Sequence, residues 1–228
     1  MRFENVPSLP LVFAVGLLNL AACSSGSGSP LAPERKSIAV RIASDGTGNC
    51  GYDVSQEDLN VVALSPTDYA ESSMCGACME IEGPSGKKVL MRVVDSCSNC
   101  AVSQVGLTPQ GLDAVGAGEM LQTDVTWQYV SCPVQGPIRY HIKDGSSEYW
   151  TAIQVRNHII PITKLEYQRN GGWVTIKREQ YNYFVEPSGL GKDPLRVRVT
   201  AQDGQTLEDT IQSAAWGGAN FDGAAQFK

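Results

Sequence analysis

Histidine is nearly absent from this chain: His141 and His158 are the only two, and neither sits in a pattern with a serine, cysteine or acid that would mark a nucleophile and its base. A partnered acyl-transfer centre is therefore not expected, and His158 reads as a structural residue. Basic residues are also in deficit. Lys and Arg number 18 against 24 Asp and Glu, a net charge of −6. No basic stripe of the kind that tracks a phosphate backbone is present, which argues against a nucleic-acid partner. The same balance disfavours electrostatic capture of acidic polymers. No long apolar run occurs either. The one candidate, residues 11–20, is too short to span a bilayer as a stable helix and reads as the apolar core of an export signal. Cysteine is missing after Cys132, so the two halves of the chain are built differently.

The apolar run ends in Leu20-Ala21-Ala22-Cys23, which resembles a bacterial lipobox. Residues 1–23 are then a lipoprotein signal, Cys23 the lipidated first residue, and residues 24–35, rich in Ser, Gly and Pro, a flexible tether. The expected location is outside the cytoplasm, lipid-anchored at the cell surface or outer membrane, with plain secretion as the alternative. Contact with membrane is through the anchor alone. The other six cysteines, Cys50, Cys75, Cys78, Cys97, Cys100 and Cys132, are an even set in an exported chain and imply disulfides. The competing reading is zinc, because Cys75-Gly-Ala-Cys78 and Cys97-Ser-Asn-Cys100 form a pair of CxxC motifs. Export and the two further cysteines favour disulfides, and no metal is expected.

Residues 132–137 are a turn-rich joint between domains at 36–133 and 134–228. Charge differs across it: residues 34–133 balance to −7, residues 134–215 to +1. Before the joint, short strands are predicted at 38–42, 61–64, 79–82, 89–94 and 125–130. Thr108-Pro109 is the N-cap and first residue of a short helix stopping by Gly116 or Gly118. After the joint, alternating strands with turns at Asn170-Gly171 and Asp203-Gly204 predict an antiparallel sandwich.

The most informative stretch is residues 143–158. From Thr151 onward Ile153 and Val155 take one face of a strand, while Ala152, Gln154 and Arg156 take the other. Trp150 shares the parity of the polar face, where a large aromatic aimed at solvent is suited to stacking a flat ligand. The alternative is a ring folded back over a sheet edge.

This stretch, together with residues 161–167, Gly172-Trp173 and residues 180–185, closely resembles the second domain of bacterial expansins. The likeness continues into the first half through residues 82–87 and Val94-Asp95. It implies an all-β protein: a six-stranded double-psi β-barrel related to family 45 glycoside hydrolases, followed by an immunoglobulin-like β-sandwich. It also implies the pairing Cys50 with Cys75, Cys78 with Cys132 and Cys97 with Cys100. Of the two groove aspartates of expansins, one is present as Asp95. Gly106 stands where the other belongs, in Val105-Gly106-Leu107-Thr108-Pro109. Val40 and Ile42 fall where bacterial expansins carry groove threonines. Asp113, Glu80 and Glu82 read as solvated surface acids rather than substitutes. The carbohydrate-binding aromatics map onto Tyr149, Trp150 and Tyr181, with Lys143 beside them. Since neighbours in a regular strand point opposite ways, the chain must bend after Ser147 for both aromatics of the pair to face one ligand.

The expected function is that of a non-hydrolytic, cofactor-free, monomeric expansin-like protein that binds cellulose or hemicellulose and loosens it. Inverting hydrolysis needs two carboxyls, and one aspartate cannot serve as both acid and base. A weak endoglucanase or lytic transglycosylase on the same barrel, and a lipoprotein that only binds polysaccharide, are the alternatives.

Overall fold

The computed structural model describes residues 28–53 and 59–228. The signal, Cys23 and residues 24–27 of the expected tether lie outside the described residues. The rest of that tether is held rather than free: Pro30 bridges Val130, and the Leu31 amide donates to the Tyr129 carbonyl at 2.8 Å.

The first half closes into a barrel of six strands: β1 (Arg35–Arg41), β2 (Val61–Leu64), β3 (Cys78–Glu82), β4 (Lys88–Ser96), β5 (Gln104–Leu107) and β6 (Gln122–Val130). Their order around the barrel is β1-β5-β2-β4-β3-β6, with β1 parallel to β5 and β2 parallel to β4. Alternation aims Met79, Ile81, Met91, Val93 and Trp127 into the interior, where each is nearly fully buried. Each such side chain contributes roughly 1.5–3 kcal/mol by leaving water. Two short helices cap the strands, α1 (Pro66–Tyr69) and α2 (Pro109–Ala114). Thr108 caps α2 as predicted, its hydroxyl accepting from the Gly111 amide at 3.0 Å.

The second half is one antiparallel run of eight strands: β7 (Arg139–Ile142), β8 (Thr151–Arg156), β9 (Ile162–Arg169), β10 (Gly172–Arg178), β11 (Phe184–Glu186), β12 (Leu195–Ala201), β13 (Thr206–Ile211) and β14 (Asn220–Asp222). Spatial order is β13-β12-β9-β10-β11-β8-β7-β14. Strands on both sides of β10 supply a single core, in which Tyr140, Ile153 and Phe184 meet Leu165, Val197 and Ile211. The sheet thus folds over itself as a sandwich. Asn170 and Gly171 both have positive φ, at 50° and 79°, as the tight hairpin between β9 and β10 requires.

The cysteines are paired as Cys50–Cys75, Cys78–Cys132 and Cys97–Cys100. The first of these stands at the junction of the two halves. The Cys50 carbonyl accepts from Gln154 Nε2 at 2.7 Å and Asn182 Nδ2 at 3.2 Å. Gln154, expected on a solvent-facing side of its strand, is therefore fully buried. The outer face of β8 is where the barrel docks, so alternation correctly separated two faces but both are covered.

Candidate functional site

Asp95 lies near the end of β4, where pairing with β2 slips: Val62 faces Val93, but Ala63 faces Asp95. The extra residue, Val94, re-aims the aspartate out of the ladder and toward the surface. Asp95 Oδ1 accepts from the Asn49 amide at 2.6 Å and the Ser96 amide at 2.8 Å. Close approach of the preceding loop requires glycine at position 48, since a Cβ there would lie 2.4 Å from the Asp95 Cβ. A groove of about 380 Å³ opens beside the carboxylate, lined by Val40, Ile42, Ala63, Ser96, Asn99 and Gln104 among others. Asp95 is the one acid among its described lining residues.

The vacant second position has a steric counterpart. A Cβ added to Gly106 would meet Ile42 Cγ2 at 2.7 Å. The isoleucine occupies the space that a longer side chain at 106 would need. None of the alternative acids lines this groove. Glu80 is also not the solvated surface acid expected: it is only 7% exposed, and it accepts from Lys88 Nζ at 2.8 Å and Gln128 Nε2 at 3.2 Å. Neighbouring strands supply those partners, so burial is compensated. Asp113 is exposed on α2 and Glu82 is half-buried.

On the second domain the chain does bend after Ser147. The Ser147 amide donates to the Trp150 carbonyl at 2.8 Å, which places Tyr149 in a tight turn with 76% of its surface exposed. Trp150 is half-buried, packed against Ala152, Tyr183 and Val185. Both of the readings offered for it thus hold in part: one portion of the indole rests on the sheet and the remainder is open. Tyr181 is 37% exposed, its ring centroid 5.8 Å from that of Tyr183. Lys143 Nζ is 5.8 Å from the Tyr183 centroid and His141 meets the same ring edge-on at 6.2 Å. Tyr183 is thus the hub of the platform, linking Trp150, Tyr181 and Lys143. Its alternation with Tyr181 in the Tyr-Asn-Tyr segment was the available sequence signal. A turn from Glu179 to Asn182 sets these rings, with Asn182 at φ 63°, a conformation that asparagine tolerates better than most residues.

Hydrogen bonds link the loop beside the groove to the turn that carries Tyr181 of the platform. Asn49 Nδ2 and Tyr69 Oη both donate to the Gln180 carbonyl, at 3.1 and 2.8 Å, immediately before Tyr181. Burial, and secondarily the Asp95 charge, push the Tyr69 phenol well above its ordinary range, so it acts as a donor throughout physiological pH. His158 is buried on the other side of the same junction. Desolvation first, and then the Arg178 charge, depress it to about 4, which fits a neutral structural histidine. Among the described residues no group of three or more His, Cys, Asp or Glu could hold a metal ion. No helix among them is long and apolar enough to cross a membrane.

No protein-family model matches the chain. The expansin YoaJ of Bacillus subtilis is 35% identical over 158 residues, spanning 68% of this chain and 67% of that protein. Expansin-like protein 1 of Dictyostelium discoideum is 28% identical over 177 residues, spanning 72% of this chain and 62% of its own. The crystal structure of the apo expansin of Clavibacter michiganensis superposes with a TM-score of 0.76 at 26% identity, covering 86% of this chain and 98% of that one. A mutant of the same protein, solved in complex with cellohexaose, superposes equally well. A closed six-stranded mixed barrel, an eight-stranded antiparallel second half and relatedness to YoaJ over two thirds of both proteins together place this chain in the expansin family.

Proposed function

We propose that this protein binds cellulose or a related uncharged glucan on the platform of Tyr149, Trp150 and Tyr181, with Lys143 donating to sugar hydroxyls, and loosens polysaccharide contacts through the groove at Asp95 without cutting a bond. The observation that carries this reading is the exposure of Tyr149 and Tyr181 beside a half-open Trp150, with the turn of Tyr181 hydrogen-bonded to the loop beside the groove. A cluster of exposed aromatics on one surface marks an interaction site, as single exposed apolar residues do not. The cellohexaose complex of the related Clavibacter protein supports a glucan ligand. For the groove, a lone carboxylate supports a binding and ordering role over acid and base catalysis, which would need a partner carboxyl. Asp95 Oδ2 is the oxygen left to accept from a sugar hydroxyl, because Oδ1 is held by two backbone amides. The proposed location is outside the cell membrane, anchored through Cys23 or secreted.

The test pairs a depletion isotherm on microcrystalline cellulose with extension of cellulose-based wall specimens under load. Trp150→Ala should weaken binding at least about tenfold, consistent with roughly 1–3 kcal/mol per central anchor. It should also lower the melting temperature modestly, because the ring covers Tyr183 and Val185. Tyr149→Ala should weaken binding with no change in melting. Asp95→Ala should leave binding nearly unchanged and abolish extension. Unchanged cellulose affinity in both aromatic variants would refute the platform.

A further inference from the structure

Behind the junction of the two domains, sharing no residue with the Asp95 groove, lies a cavity of about 350 Å³. That volume is within the range of small-molecule sites, about 300–1,000 Å³. Its walls are Tyr52, Gly76, Arg92 and the Cys78–Cys132 disulfide from the barrel side, with Arg156 and His158 from the second domain. Two buried donors there have no hydrogen-bond partner: Tyr52 Oη and Arg92 Nε. Leaving either unsatisfied is costly, so each favours an acceptor in the cavity, whether water or the oxygen of an anion. The Arg92 guanidinium carbon is 5.1 Å from the Tyr52 ring centroid, which holds the cation in place. Arg156 is fixed from three directions: Nε donates to Gln154 Oε1 at 2.5 Å, Nη1 to Asp53 Oδ2 at 2.8 Å and Nη2 to the Gly51 carbonyl at 3.3 Å. Two N–H groups remain beyond those bonds, on a guanidinium that also faces the Tyr183 hydroxyl. Asp53, the one acid among the described lining residues, pairs with Arg156 from the solvent side, 85% of its side chain being exposed, and leaves the Arg92 charge without a carboxylate among those lining residues.

We propose that this cavity is a binding site for a small oxyanion, held by Arg92, Arg156 and Tyr52. A carboxylate on an acidic sugar and free inorganic phosphate share the required chemistry: several acceptor oxygens for guanidinium and phenol donors, and a charge to offset two arginines. Burial chiefly depresses the basicity of His158, and the charges of Arg178 and Arg92 add to it in the direction that positive potential at this place requires. A net charge of −6 disfavours long-range capture of acidic polymers, but a local pair of partly buried arginines acts at contact distance on one anionic group.

The experiment is calorimetric titration of the full chain at pH 7 with sodium glucuronate, sodium phosphate and glucose, at ionic strength matched with sodium chloride, alongside thermal melts. Saturable binding of glucuronate, phosphate or both is expected, with a melting temperature that rises with anion concentration by mass action. Glucose should do neither. Response to glucuronate alone assigns the acidic sugar, and response to phosphate alone assigns the free ion. Arg92→Gln and Arg156→Gln should each weaken anion binding at least tenfold; unchanged cellulose binding in Arg92→Gln, and a retained cooperative melt in Arg156→Gln, whose side chain also faces Tyr183, report that the variants are folded. Absence of any anion response beyond chloride would overturn the proposal and leave a water-filled cavity. Affinity unchanged in both variants, or an equal response to glucose, would do so as well.

Discussion

Asn49 and Asp95 are joined across 46 residues of sequence: the Asn49 amide donates to the Asp95 carboxylate at 2.6 Å, while the Asn49 side chain reaches the Gln180 carbonyl at 3.1 Å in the other domain. The groove carboxylate is thus one residue removed from the turn that carries Tyr181. That turn and the carboxylate are joined by hydrogen bonds through a single residue, Asn49.

Replacing Asn49 by alanine keeps the backbone bond to Asp95 and deletes the side-chain bond to Gln180 together with the contact to the Tyr69 hydroxyl. Loss of one such bond should cost about 0.5–1.5 kcal/mol. Cellulose affinity should stay within about twofold, because no platform residue is touched. Faster amide exchange at 180–182, with wall extension reduced, is the outcome that assigns Asn49 a coupling role. Unchanged extension would remove that role.

Restoring an acid at position 106 should fail on steric grounds. Gly106→Asp places a Cβ 2.7 Å from Ile42 Cγ2, and overpacking of this kind costs roughly 1–3 kcal/mol. Ile42→Ala in the same chain should recover part of that loss by vacating the space. Urea melts of the single and double variants measure both steps. Recovery that does not depend on Ile42 would show that the strain lies elsewhere.

His158 makes stability depend on pH. Its folded-state value is depressed from 6.5 to about 4, chiefly by burial, so below 6.5 the unfolded chain takes up a proton that the folded chain refuses. The stabilisation is whole above about pH 6.5 and is lost as pH falls toward 4, by at most roughly 3 kcal/mol at about 1.4 kcal/mol per pH unit. His141 is depressed by burial too and contributes in the same direction. His158→Gln should flatten the melting-temperature profile between pH 6.5 and 4. A profile as steep as that of the parent protein would show that other groups govern it.

The Leu20 to Cys23 segment predicts an N-terminal lipidated cysteine in the native host. Intact mass of membrane-extracted protein should show a diacylglycerol-modified Cys23 as the first residue. A mature soluble form starting elsewhere would contradict it.

Patterns within a few residues of one another were legible in the sequence. The strands at 61–64 and 79–82, the Thr108 cap and the Asn170-Gly171 turn depend on local sterics and alternation, and each formed where expected. Strand β5 was not foreseen, because Gln-Val-Gly-Leu is four residues long and its glycine weakens any strand signal. Glu80 was misread for a related reason: local sequence does not reveal that Lys88 and Gln128 arrive from neighbouring strands to bury it.

The site divides along the same line. Residue type and spacing by themselves gave an even set of six cysteines suited to disulfides, alternating strands after the joint and a short capped helix, while the groove aspartate, the cysteine pairing and the aromatic positions were legible only through the resemblance to expansins. Only the tertiary structure decided that Ile42 fills the space beside Gly106, that Tyr183 links the platform, that Gln154 is buried under the barrel, and that Arg92 and Arg156 face one cavity. Each of those facts is a contact between residues distant in sequence, and such contacts are set by which strands become neighbours when the chain closes.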